Sequence, residues 1–133
     1  NLAVSLHAAD DAKRDMIMPI NEQNNIEAII DALKHFQSKC KGELTFEYIL
    51  LDGVNDTIDD AKKLIAICKQ LDDVKINVIE YNKIDQADFH KSTIDTRDKF
   101  IDYLSKHEVI ANVRKSRGKD IDAACGQLAN KNK

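Results

Sequence analysis

The chain has 133 residues, 43% of them hydrophobic, which is enough for one domain with a buried core. Its 23 acidic against 20 basic residues exclude an overall cationic field that would draw in nucleic acid, so any affinity for RNA has to be local. Three cysteines, Cys40, Cys68 and Cys125, lie far apart with no C-x-x-C pair. That excludes a disulfide scaffold or zinc knuckle and fits a reducing, cytoplasmic setting with no membrane span or signal peptide.

Leu2 to His7 is the first predicted strand, entered at once from Asn1 without a methionine or a flexible leader, so the chain reads as a piece of something longer. Ile26, Ile29, Ile30 and Leu33 recur at helical spacing and predict the first helix. Leu44 to Leu51 is the second strand. Ile58, Ala61, Leu64, Ile65 and Cys68 repeat the helical theme behind Thr57-x-x-Asp60, a capping-box-like start in which hydroxyl and carboxylate each satisfy a free amide. Lys75 to Tyr81 is the third strand, followed by a helix starting near Ser92 or Thr93 and running through Phe100, Ile101 and Leu104. Val109 to Val113 is the fourth strand, and a short last helix starts at Asp120, after Gly118.

Strands alternating with helices predict an α/β fold with about four mostly parallel strands. The runs LTFEYILL and KINVIEY are apolar enough to predict burial on both faces of the sheet. Right-handed crossovers place every strand's C-terminal end on one rim, where such folds hold their chemistry. The sequence puts Ser5, Leu6 and His7 there, with Asp52 and Gly53, Tyr81 and Asn82, and Arg114, Lys115 and Arg117. The set is polar and ligand-like, with no nucleophile, base and orienter triad. So few strands do not close a barrel, so an exposed edge and a missing neighbour for the first strand are expected.

Each candidate has a bland counterpart. His7 ends a strand, where structural histidines are common. His35, His90 and His107 show no metal-ligand spacing. Asn82 fits a ligand contact or a turn equally well. Glu47, inside an apolar strand, needs a cation or a ligand's hydroxyl or amine if it faces inward. Asp52-Gly53-Val54-Asn55-Asp56 lacks EF-hand spacing and reads as a turn plus helix start. The acidic run Asp52, Asp56, Asp59, Asp60, Asp72 and Asp73 and the basic group Arg114, Lys115, Arg117 and Lys119 read first as solvated surface. Cys125, flanked by alanines and a glycine, is either a small buried hydrophobe or a thiol near a helix N-terminus with Arg117 and Lys119 just before it, conditions that favour a thiolate.

Five blocks in order, SLHA from Ser5, RDMIMPIN from Arg14, FEYILLDGVND from Phe46, KINVIEYN from Lys75 and VRKSRGKDIDAACGQLA from Val113, resemble the dual-specificity radical SAM RNA methyltransferases of the RlmN type. The resemblance implies methylation of adenine C2 in 23S rRNA and tRNA, with S-adenosylmethionine used twice. It is first a methyl donor to a protein cysteine, then the source of a 5'-deoxyadenosyl radical that activates that methyl group for addition to the base. Cys125 matches the S-methylcysteine position; Ser5, Leu6, His7 and Asn82 match cofactor contacts; Arg114, Lys115 and Arg117 are candidate RNA contacts. Sulfur suits the role because it accepts a methyl group readily and stabilises an adjacent carbon radical.

The resemblance also implies what the sequence does not contain. The C-x-x-x-C-x-x-C loop for the 4Fe-4S cluster, which an electron donor serves in the parent enzyme, is not in these residues. Nor are the resolving cysteine, the proposed glutamate base or an accessory domain. The expected organisation is one domain, with closing βα units of a partial radical SAM barrel over 1–108 and a C-terminal extension carrying Cys125 over 109–133, and no activity for the chain alone. KIDQADFHKST, after Asn82, departs from the family's pattern. The rival readings are the sister group methylating adenine C8, and a non-catalytic half-barrel that binds RNA through its basic group.

Overall fold

A computed structural model describes residues 2–17, 25–40, 42–81 and 89–115. Strand β1 (Leu2–Ser5) is followed by helices α1 (Asp11–Ile17) and α2 (Ile26–Lys39), then β2 (Leu44–Leu50), α3 (Ile58–Lys69), β3 (Val74–Glu80), α4 (Ile94–Lys106) and β4 (Ile110–Lys115). The four strands form one parallel sheet in the order β1-β2-β3-β4. This is the predicted α/β architecture, with all described C-terminal strand ends on one rim. β1 and β4 are its edges, and Ile110 and Val113 of β4 are exposed.

Each long helix starts where a side chain can take up a free amide. Asn25 accepts from Ala28 N at 2.9 Å ahead of α2, and Thr93 accepts from Thr96 N ahead of α4. Thr57 forms a full capping box with Asp60 at the start of α3. The buried Asp60 carboxylate also meets Lys13 Nζ of α1 at 2.6 Å, so this cap ties two helices together. Replacing Thr57 by alanine is expected to cost about 1 kcal/mol, read as a lower urea midpoint, with Thr57→Ser retaining most of it.

Helices α2, α3 and α4 pack on one face of the sheet. Phe46, Tyr48, Ile76 and Val78 of the sheet meet Ile30 and Leu33 of α2, Leu64 of α3, and Phe100 and Leu104 of α4, with the Tyr48 and Phe100 rings 5.3 Å apart. The expected burial of both faces holds only near the rim. There Ile49, Leu51 and Tyr81 form a second cluster under Ile17, Val54 and Phe89. Level with the end of β1 that face is polar and open, because the half-buried Ser5, Glu47 and Asn77 and the exposed Asn112 stand in register across the four strands. The alternation in these runs was masked by β2 itself, whose end from Tyr48 to Leu51 is buried continuously.

Helix α1 has no counterpart among the predicted elements. It spans seven residues with large apolar side chains, Met16 and Ile17, only at its end, too short to show a helical stripe, and it is preceded by Asp10, whose carboxylate accepts from Lys13 N at 2.8 Å.

Candidate functional site

The rim is built around the turn that ends β1. His7 adopts φ 60°, in the left-handed region, and the turn is held from every side. Glu47 O accepts from both Leu6 N and His7 N, at 2.9 and 3.2 Å. His7 Nδ1 accepts from Ile49 N at 3.0 Å, which places the proton of the neutral ring on Nε2. Burial, and secondly the charge of Arg14, push the His7 pKa down to about 4.

Two side chains to which the sequence assigned no role hold the remaining main-chain atoms. Arg14, buried on α1, donates from Nε to Leu6 O at 3.0 Å and from a terminal guanidinium nitrogen to Ser5 O at 3.2 Å. Asn55, fully buried after β2, donates from Nδ2 to His7 O at 2.6 Å and to Ile49 O at 2.7 Å, and its Oδ1 accepts from Leu51 N at 2.8 Å. Arg14 lies in the RDMIMPIN block and Asn55 in DGVND, so both were visible as sequence. Only the three-dimensional turn gives them partners.

DGVND is the turn and helix start expected of it. Gly53 takes φ 70° with open space where a Cβ would stand. Asp56 accepts from Gly53 N at 3.2 Å and from the Ser92 hydroxyl at 2.7 Å.

The predicted site residues fall into three groups. Ser5 lies half-buried at the rim with its hydroxyl making no bond to a described residue, beside the buried His7, whereas Leu6 points wholly into the core and offers a ligand only its main chain. Glu47 is half-buried rather than fully inward, and Arg114, on the opposite edge strand, reaches past β3 to within 3.9 Å of its carboxylate. Because Glu47 is the register partner of Ser5, this contact draws Arg114 toward the β1 side. Lys115 is described by its backbone alone, at the end of β4. Asn82, Arg117 and Cys125 lie outside the described residues, as does the helix expected from Asp120.

The rim has hydrogen-bonding capacity left over. Besides the Ser5 hydroxyl, the Tyr81 hydroxyl is buried at the end of β3 without a partner, one residue before Asn82. The unpartnered phenol at the end of β3 and the Ser5 hydroxyl at the end of β1 are donors and acceptors that suit a ligand rich in hydroxyl and amine groups, as S-adenosylmethionine is. The described thiols do not fit an iron-sulfur cluster. Cys40 is exposed at the end of α2, and Cys68 is buried in α3 with its pKa pushed up to about 12 by burial. No group of three or more His, Cys, Asp or Glu among the described residues is placed to hold a metal ion, and no described helix is long and apolar enough to cross a membrane.

No family model matches the chain. A relative from Cytophaga hutchinsonii, named a probable dual-specificity RNA methyltransferase RlmN, is 54% identical over 128 residues, which is 96% of this chain and 35% of that protein. The dual-specificity RNA methyltransferase RlmN of Campylobacter hominis is 43% identical over 98% of this chain and 36% of its own length. Among solved structures, a radical SAM methyltransferase from Sphaerobacter thermophilus superposes with a TM-score of 0.84 at 37% identity, covering 96% of this chain and 37% of that one. The chain thus spans a little over a third of the length of the curated relatives it matches.

Proposed function

We propose that this chain, an RlmN-type sequence over the third of its relatives' length that it spans, serves in an enzyme that methylates C2 of adenine in 23S rRNA and tRNA. The observation that carries the reading is the relatedness to RlmN proteins along nearly all of the chain, joined to a rim whose Ser5 and Tyr81 hydroxyls remain free for a ligand. Bound there, S-adenosylmethionine would supply the methyl group. Ser5 and Asn82 would hold it by hydrogen bonds, and the turn at Leu6 and His7 would shape the wall against which it lies. Cys125 would carry the methyl group as S-methylcysteine, its acceptance favoured by the cations Arg117 and Lys119 that precede it. Arg114, Lys115 and Arg117 would meet RNA phosphates, with Arg114 partly offset by Glu47. The likeness to a radical SAM methyltransferase supports an iron-sulfur cluster in the whole enzyme. The described thiols, the exposed Cys40 and the buried Cys68, do not fit one.

The division expected from the sequence belongs to this reading, in which 109–133 would begin with β4 of the sheet and carry Cys125 toward the rim. Without a C-x-x-x-C-x-x-C motif, the chain by itself is expected to give no methylated adenine when incubated with reductant, S-adenosylmethionine and RNA. In a full-length enzyme carrying these residues, Cys125→Ala should abolish product while leaving S-adenosylmethionine binding within about twofold of wild type. Chromatography of digested RNA against 2-methyladenosine and 8-methyladenosine standards checks both. Product from the alanine variant would remove Cys125 from the chemistry, and 8-methyladenosine would move the enzyme to the sister group.

A further inference from the structure

We propose that Arg14 is a positioning residue for S-adenosylmethionine, bracing the Ser5–His7 turn from behind so that the Ser5 hydroxyl is presented at the rim. The inference rests on the cofactor reading above. Burying a guanidinium is costly unless its donors are taken up. Here Arg14 is 3% exposed, and two of its donors go to the carbonyls of successive residues, Ser5 and Leu6. Desolvation lowers its pKa while the carboxylates of Asp11 and Asp15 raise it, so those two acids help keep the charge in place.

What the guanidinium secures is a backbone that would not hold itself. His7 sits at φ 60°, a conformation that a side chain with a Cβ adopts at some cost and keeps only where its surroundings fix it. From the sheet side the turn is tied through Glu47 O and Asn55, and from the helix side through Arg14. Leu6 N, His7 N and the oxygens of Ser5, Leu6 and His7 are all engaged, whereas the Ser5 hydroxyl has no partner among the described residues. Loosening the helix side frees the Ser5 and Leu6 carbonyls to rotate and carries the hydroxyl away from its aim.

The test uses Arg14→Ala and Arg14→Lys. Lysine keeps the charge but cannot fork onto two carbonyls. In a full-length enzyme, equilibrium dialysis should show S-adenosylmethionine binding weakened roughly tenfold in the alanine variant and less in the lysine variant, with added guanidinium ion restoring part of the loss to alanine. KM for S-adenosylmethionine should rise while kcat at saturation changes much less. In the 133-residue chain, amide exchange at Leu6, His7 and Ala8 should speed up in the lysine variant. Faster exchange with unchanged affinity overturns the positioning role, as does unchanged exchange. Wild-type enzyme that binds S-adenosylmethionine yet forms no methyladenosine would overturn the methyltransferase reading and leave the role of Arg14 intact.

Discussion

Replacing Asn55 by alanine lowers the stability of the folded chain by about 3 kcal/mol, and replacing it by aspartate lowers it by more. The asparagine is fully buried and its carboxamide meets three main-chain groups: the oxygens of His7 and Ile49 and the amide of Leu51. Alanine leaves all three without partners in a place water does not reach, at about 1 kcal/mol or more for each. Aspartate fits the same space and keeps the acceptor for Leu51 N, but it sets a buried negative oxygen against two carbonyl oxygens. A carboxylate there must either stay charged without a cation or take up a proton. Tyr48 compounds the loss, because its buried hydroxyl donates to Asn55 O at 2.7 Å and so links the turn to the centre of the core. Urea unfolding monitored by circular dichroism should show a lower midpoint with the slope unchanged. A loss below about 1 kcal/mol for both variants would mean that the turn finds other partners, and the description of Asn55 as its fastener would fail.

The same residue shows where the sequence was readable and where it was not. The strands and long helices were legible because they are periodic and capped: Thr57-x-x-Asp60 announces α3, and the apolar stripe of α2 needs no partner to be seen. The parallel direction of the strands followed from alternation of strand and helix alone. Local signals also sufficed for DGVND as a turn, since Gly53 and Asp56 act within a few residues of themselves. Asn55 looked like one more turn residue because its partner His7 is 48 positions away. Arg14 received no role of its own because nothing in its segment reveals that its acceptors are carbonyls of the preceding strand end. Glu47 was readable halfway. A carboxylate in an apolar strand demands a partner, but naming Arg114 required knowing that β4 lies two strands away in the sheet. Pairings between distant segments carry the site, and a single sequence holds no periodic trace of them.

Acid should destabilise the chain through His7, and the sign follows from its one hydrogen bond. In the folded state Nδ1 is an acceptor from Ile49 N, so protonation would set two N–H groups against each other and add a positive charge beside Arg14 inside the protein. The folded pKa is therefore held down at about 4, against an ordinary value of 6.5. Between those two values the unfolded chain binds more protons than the folded one, so stability rises with pH across the interval. The contribution is fully present above pH 6.5, is lost progressively as pH falls toward 4, and amounts to about 3 kcal/mol at most. Denaturant midpoints measured from pH 7 down to pH 4.5 should decline, and His7→Gln should flatten that decline although it starts from a less stable protein. Imidazole proton resonances followed by NMR over the same range should show His7 still neutral at pH 5.5. A His7 resonance titrating near 6.5 would mean that the ring does not accept from Ile49, and the turn as drawn around Ser5 would lose its support on the sheet side.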